Sequence, residues 1–170
     1  MHLYKEYTLP YTICFGIIGK KVLLIKRKKE PYLGKWNGLG GKIEENENPD
    51  DAAIREMIEE TGFESLDGSM EFRGIVTWGV LNNNKKQGMY AYFFNYPEKL
   101  LFNQKDTREG LLEWKNLDWI LGKNNEEVAK NLKYFLPEML NQKKPMHYQF
   151  EYSNPRDKSE LTKFTVSELE

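Results

Sequence analysis

Residues 41–63, GKIEENENPDDAAIREMIEETGF, set Glu44, Glu45, Glu47, Asp50, Asp51, Glu56, Glu59 and Glu60 against only Lys42 and Arg55. A helix that merely packs on a core has no use for that imbalance. Hard divalent cations do, because they take oxygen ligands and carboxylates supply both the oxygens and the charge. The block therefore has to fold with one face against apolar neighbours and a second face that something neutralises.

Helix signals bracket it. Asn48 can cap, Pro49 suits the first turn, and Asp50 and Asp51 meet the positive end of the dipole. Gly62 can take the left-handed conformation that stops a helix. At about 100° per residue, Ala53, Ile54, Met57 and Ile58 share one arc, which predicts a buried face. Glu56, Glu59 and Glu60 share the adjoining arc, where like charges cost roughly a few tenths of a kcal/mol per pair. A solvated acidic face is the commonplace alternative for such a run. The preceding glycines, the apolar arc and the fixed place of Glu47 distinguish this one.

Gly41-x5-Glu47-x7-Arg55-Glu56-Met57-x-Glu59-Glu60-x-Gly62-Phe63 matches every fixed position of the Nudix box, and the chain resembles the Nudix hydrolases. The resemblance implies an α/β (α+β) fold, a mixed β-sheet sandwiched between helices. It also implies hydrolysis of a diphosphate linked to another moiety, with Mg²⁺, or alternatively Mn²⁺, as cofactor. By position, Glu56, Glu59 and Glu60 look like the carboxylates that hold the metal. One of them, Glu56 by first choice, would instead orient or deprotonate the attacking water. Glu47 and Arg55 look like the ion pair that fixes the loop on the helix, and the carbonyl of Gly40 like a metal contact. A further metal glutamate stands before a tryptophan in the family; Glu109 ahead of Trp114 matches, with Glu113 as the substitute. Arg27 occupies the place of a phosphate-contacting cation.

The flanks resemble the MutT-like 8-oxo-dGTP diphosphatases. The run Gly34-Lys35-Trp36-Asn37-Gly38-Leu39-Gly40-Gly41-Lys42 implies that Asn37 reads a purine base. Thr12, after Tyr11, lies on the strand that floors the pocket; tryptophans are more often core or pocket walls than stacking platforms, and Trp36, flanked by glycines near the site, is the exception. Glu113-Trp114, Phe135-Leu136-Pro137 and His147-Tyr148 continue the likeness. It breaks at Ala129-Lys130-Asn131-Leu132, where the branch carries a tryptophan and an aspartate; Asn131 is the substitute polar reader. Three functions stay open: a nucleoside triphosphate pyrophosphohydrolase, a Nudix enzyme for another diphosphate such as a dinucleotide, nucleotide sugar or capped RNA end, and a non-catalytic nucleotide-binding module.

Length and charge set the frame. One Nudix domain over residues 1–155 is expected at 170 residues, with 156–170 as a charged tail, loosely packed unless Leu161 and Phe164 tack it down. A net charge of −1 gives no global field for nucleic acid or a membrane. No apolar run approaches the roughly 18 residues of a spanning helix, and the first ten residues lack an apolar signal core. The expected protein is cytoplasmic, a monomer or weak dimer acting on a nucleotide, with Cys14 a buried thiol. His2 and His147 have no ligand spacing, and no phosphate-binding G-x-x-x-x-G-K-[ST] loop occurs.

Strand-forming residues predict a hairpin of 11–18 and 22–26, a strand or bent strand at 71–81, an aromatic-alternating arm at 89–96, a short strand at 111–115 and a period-two terminal strand through Met146, Tyr148, Phe150 and Tyr152. A polar tip is expected at 82–88 and a turn at 67–69. Apolar spacing at Val128, Leu132, Phe135 and Met139 predicts a second helix over 125–140.

Overall fold

Runs of apolar, largely β-branched and aromatic residues form Tyr11–Ile18 (β1) and an aliphatic run forms Lys21–Arg27 (β2), which pair antiparallel across a Gly19 turn. The computed structural model describes residues 8–64, 68–79, 87–153 and 160–169. Most of the expected 82–88 tip, Asp67 of the expected turn, His2 and most of the N-terminal segment lie outside those residues. The further strands are Trp36–Asn37 (β3), Ser69–Trp78 (β4), Gln87–Asn95 (β5), Gln104–Asp106 (β6), Gly110–Asn116 (β7), Met146–Tyr152 (β8) and Leu161–Glu168 (β9). They form one sheet in the order β6-β7-β2-β1-β5-β4-β8-β9, with β3 added to β2. β1 runs parallel to β5, and β4 parallel to β8, within an otherwise antiparallel sheet. The sheet is therefore mixed, as the resemblance implies.

Successive side chains leave a strand on opposite faces, so each strand feeds two cores. Cys14, Leu23, Ile25, Tyr92, Leu112 and Trp114 pack with Ala53 and Met57 of the helix Pro49–Thr61 (α1). Ile13, Phe15, Val22, Phe93 and Tyr148 pack on the other face with Ile120 of the short helix Leu117–Ile120 (α2). Leu132, Phe135, Leu136 and Met139 of the helix Leu132–Asn141 (α3) join that second core. Among the described residues, no helix is long and apolar enough to cross a membrane.

α1 ends where its sequence says it should. Asn48 Oδ1 accepts the Asp51 amide at 2.9 Å, and Gly62, at φ 74°, donates its N–H to Ile58 O at 2.8 Å. Tyr92 Oη donates to Asp50 Oδ1 at 2.7 Å and ties the first turn to β5. The buried face differs from the expected arc. Ile58 is 40% exposed, and Glu60 turns inward beside Ala53, Met57 and Thr61.

Two further expectations are corrected. The second helix begins at Leu132, not 125. Trp36 N donates to Glu127 O and Ala129 N to Trp36 O, so 127–129 is held extended beside β3. Those cross-chain bonds take the backbone groups that a helix would have used. The charged end is not a loose tail over its whole length, because β9 pairs along β8 and seats Phe164 against Phe150 with ring centroids 4.8 Å apart.

Gly74 sits at a register shift between β4 and β5 with φ 122°, where an added Cβ would lie 1.9 Å from Met146 O. Gly19 has φ 57° and open space around it. Gly74→Ala is expected to cost about 3 kcal/mol or more in urea denaturation, and Gly19→Ala about 1 kcal/mol.

Candidate active site

The loop before α1 lies along β1, with Cys14 N donating to Leu39 O at 2.8 Å and Thr12 N to Gly41 O at 2.9 Å. Both glycines of this loop are required by close approach. Gly40 has φ 111°, and a Cβ there would stand 2.4 Å from Thr12 O. A Cβ on Gly41 would stand 2.5 Å from Glu56 Oε1. The bare backbone thus lets carboxylates from α1 reach the loop. Gly40 N donates to Glu60 Oε1 at 3.0 Å.

One guanidinium organises the surrounding charge. Arg55 Nε and Nη2 donate to the two oxygens of Glu47 at 2.7 and 2.9 Å, in the bidentate fork that favours carboxylates. Its Nη1 reaches Glu56 Oε1 at 3.0 Å and Glu59 Oε2 at 3.4 Å, and Nη2 also donates to Lys42 O. Glu47 Oε2 in turn accepts the Glu44 amide at 2.9 Å. The fork holds the Glu47 carboxyl below its ordinary range and pushes the Arg55 guanidinium up.

Burial dominates the other two carboxyls. Desolvation pushes Glu56 up despite the opposing Arg55. Glu60, 9% exposed, rises to about 8 through desolvation, opposed by the Gly40 amide and raised further by Glu56 and Glu109. Glu59 points outward, with its side chain 59% exposed. The three glutamates of the acidic arc therefore occupy three different environments. Among the described residues, no three acidic, histidine or cysteine side chains already gather into a metal cage. The donor set still fits a hard cation, since Glu56 and Glu60 bring partly desolvated carboxylate oxygens beside the half-buried Gly40-Gly41 backbone.

The remaining sequence-derived residues fall around this centre. Glu109 is half exposed and 3.7 Å from Lys29, with its charge felt at Glu60. Arg27 donates to Pro31 O at 2.7 Å, and its charge acts on Glu60 in the opposite sense. Thr12 Oγ1 accepts the Gly41 amide at 3.3 Å. Asn37 is buried, its Oδ1 taking the Gly38 amide at 2.9 Å. Asn131, 8% exposed, has an Oδ1 with no hydrogen-bond partner. Trp36 is a buried wall whose edge meets Trp119. Sequence reasoning missed Tyr92 on Asp50, and Lys105, whose Nζ donates to Thr61 O at 2.5 Å and places a cation at the end of α1. Their only sequence signal was polarity, since each partner lies more than 40 residues away along the chain.

The NUDIX domain profile matches residues 9–139. The chain belongs to the Nudix family. Members hydrolyse nucleotide pyrophosphate linkages and generally use divalent metal ions, and this protein is a Nudix-type pyrophosphohydrolase of MutT-like form. The mouse protein named oxidized purine nucleoside triphosphate hydrolase is 24% identical over 161 residues, covering 94% of this chain and 95% of its own. The ADP-ribose pyrophosphatase of Methanocaldococcus jannaschii is 34% identical over 134 residues, covering 66% of this chain and 79% of its own. The crystal structure of a MutT protein from Bacillus halodurans superposes with a TM-score of 0.69 at 25% identity, covering 92% of this chain and 95% of that one.

A carboxyl whose pKa is higher in the folded protein than in the unfolded chain contributes stability below the unfolded value, and loses it as pH rises through the folded one. For Glu60 that window runs from 4.5 to about 8. In metal-free buffer, Glu60→Gln should match wild type near pH 4.5 and become progressively more stable than it by pH 8, read as Tm against pH.

Proposed function

We propose that this Nudix hydrolase cleaves purine nucleoside triphosphates to the monophosphate and pyrophosphate, as in clearance of oxidised purine nucleotides. The observation that carries this reading is the desolvated pair Glu56 and Glu60 against Gly40-Gly41, with two buried amides, Asn37 and Asn131, on the adjoining segments. Full-length similarity to a mouse enzyme named for oxidised purine triphosphates supports it.

Glu56, Glu59, Glu60, the Gly40 carbonyl and Glu109 would hold Mg²⁺, with Mn²⁺ as the alternative ion. When bound, the metal supplies charge neutralisation for phosphoryl oxygens and a water of lowered pKa. Arg55 donates to Glu56 Oε1 while also holding Glu47 and Lys42 O of the loop, and so fixes the direction of the Glu56 carboxylate. Burial raises the proton affinity of Glu56, which suits a group that takes a proton from the attacking water. Arg27 supplies a cation for the phosphates at the end of β2. Asn37 and Asn131 present amides that pair with a base edge, and the unpartnered Oδ1 of Asn131 gains a donor when they do. A lone buried Cys14 suits a reducing compartment such as the cytoplasm.

A second reading has its own support. Ala129-Lys130-Asn131-Leu132 carries neither the aromatic nor the acid of the branch, and the relative at 34% identity is named for ADP-ribose. A panel of ordinary and oxidised nucleotides, ADP-ribose and dinucleotides, with Mg²⁺ and product identification, separates the two. ADP-ribose as the best substrate would overturn the triphosphate reading, and turnover in excess chelator would overturn the metal site.

Glu56→Gln and Glu60→Gln should each lower kcat by about a hundredfold or more with the fold intact, since charge is lost at nearly constant shape. The exposed Glu45→Gln should stay within about twofold. Equal losses from all three would point to a general effect of charge removal on this segment and not to the two buried carboxyls.

Asn37→Ala should change the ranking of 8-oxo-dGTP, dGTP, dATP and dCTP more than the rate with the best of them. A buried amide discriminates by being left unpaired with the wrong partner, at about 1–3 kcal/mol. Comparison of kcat/KM across the four decides it, and a uniform drop would remove Asn37 from base reading.

A further inference from the structure

Lys115 has a role that no motif announces. It projects from β7 on the face opposite α1, and its ammonium lies 4.4 Å from the ring centroids of both Trp36 and Trp119. The two indoles stand perpendicular, 6.5 Å apart, so one cation serves both rings. Glu113, two residues earlier on β7, ion-pairs with the same ammonium at 3.0 Å and is itself held by Gln104 at 3.0 Å. Only 17% of the Lys115 side chain is exposed, which strengthens attraction to the ring faces.

Trp36 is a junction. It pairs with Lys26 of β2, donates its N–H to Glu127 O at 2.8 Å and accepts the Ala129 amide at 2.9 Å. Asn37 follows it directly, and Asn131 stands two residues beyond Ala129. The backbone that carries both buried amides is thus fastened to the Trp36 main chain, while Lys115 fastens the Trp36 ring to β7 and α2.

We propose that Lys115 is a positioning residue for nucleotide specificity, holding Trp36 and Trp119 so that Asn37 and Asn131 keep a fixed separation for a purine base. This rests on the reading of those two asparagines as base-contacting. Its ion pair is with Glu113, not with Glu56 or Glu60, so Lys115 acts through the two indoles and not on the reacting groups.

The test compares Lys115→Met, which keeps the aliphatic stem, with Lys115→Arg, which keeps a cation over the rings. Lys115→Met should raise KM for dGTP and 8-oxo-dGTP about tenfold, leave kcat within about twofold and leave KM for dCTP within about twofold. It should also alter the near-ultraviolet circular dichroism of the tryptophans without nucleotide, and Lys115→Arg should restore both. Unchanged purine KM with an unchanged tryptophan spectrum would overturn the proposal. So would a loss shared equally by all nucleotides and accompanied by a lower Tm, which marks a merely structural lysine. If wild type does not distinguish purine from pyrimidine, the purine reading fails, and the spectrum of Lys115→Met with its rescue by arginine still decides whether Lys115 holds the two indoles.

Discussion

Arg55 is the charge on which the geometry of the site depends. Its guanidinium spans the Glu47 carboxylate and Lys42 carbonyl of the loop and the Glu56 and Glu59 carboxylates of its own helix. A planar fork satisfies several acceptors at once in a fixed arrangement, which a point charge such as lysine does not. The pair with Glu47 is partly buried, so loss of either partner leaves a charge stranded at the root of the loop. Through this one side chain the loop carrying Gly40-Gly41 and the helix carrying the glutamates become a single body.

Glu60 shows what that body does to a carboxyl. A lone buried carboxylate favours its neutral form, and the Gly40 amide offsets only part of the desolvation. The fold therefore accepts an unfavourable group at the position where a cation would reverse the balance. That conflict between stability and function is the usual signature of a site, and here it is concentrated in two side chains, Glu56 and Glu60.

The sheet separates two tasks. α1 and its carboxylates lie on one face, while Trp36, Lys115, Trp119 and α3 lie on the other. β1 contributes to both, since Thr12 meets the loop at Gly41 while Ile13 enters the opposite core. On the proposed reading, phosphate chemistry and base recognition draw on different packing layers. Substitutions in one layer can act with limited effect on the other.

The sequence by itself determined α1, its caps and the Nudix box, because each depends on residues within one or two helical turns. Asn48 and Gly62 cap where expected, and the Glu47–Arg55 pair forms across a short loop. It also determined most strands, through runs of strand-forming residues: β1, β2 and β5 are buried almost continuously, and β7 alternates. Tertiary structure alone decided which glutamate is buried: Glu59 and Glu60 are neighbours in sequence, but 100° of helix rotation sends one to solvent and the other to the Gly40 amide. It also decided that residues 127–129 extend beside Trp36, that the charged end becomes an edge strand, and that Asp50 answers Tyr92. Those outcomes come from partners distant in the chain, whose hydrogen bonds override local propensity and leave no periodic trace in the sequence.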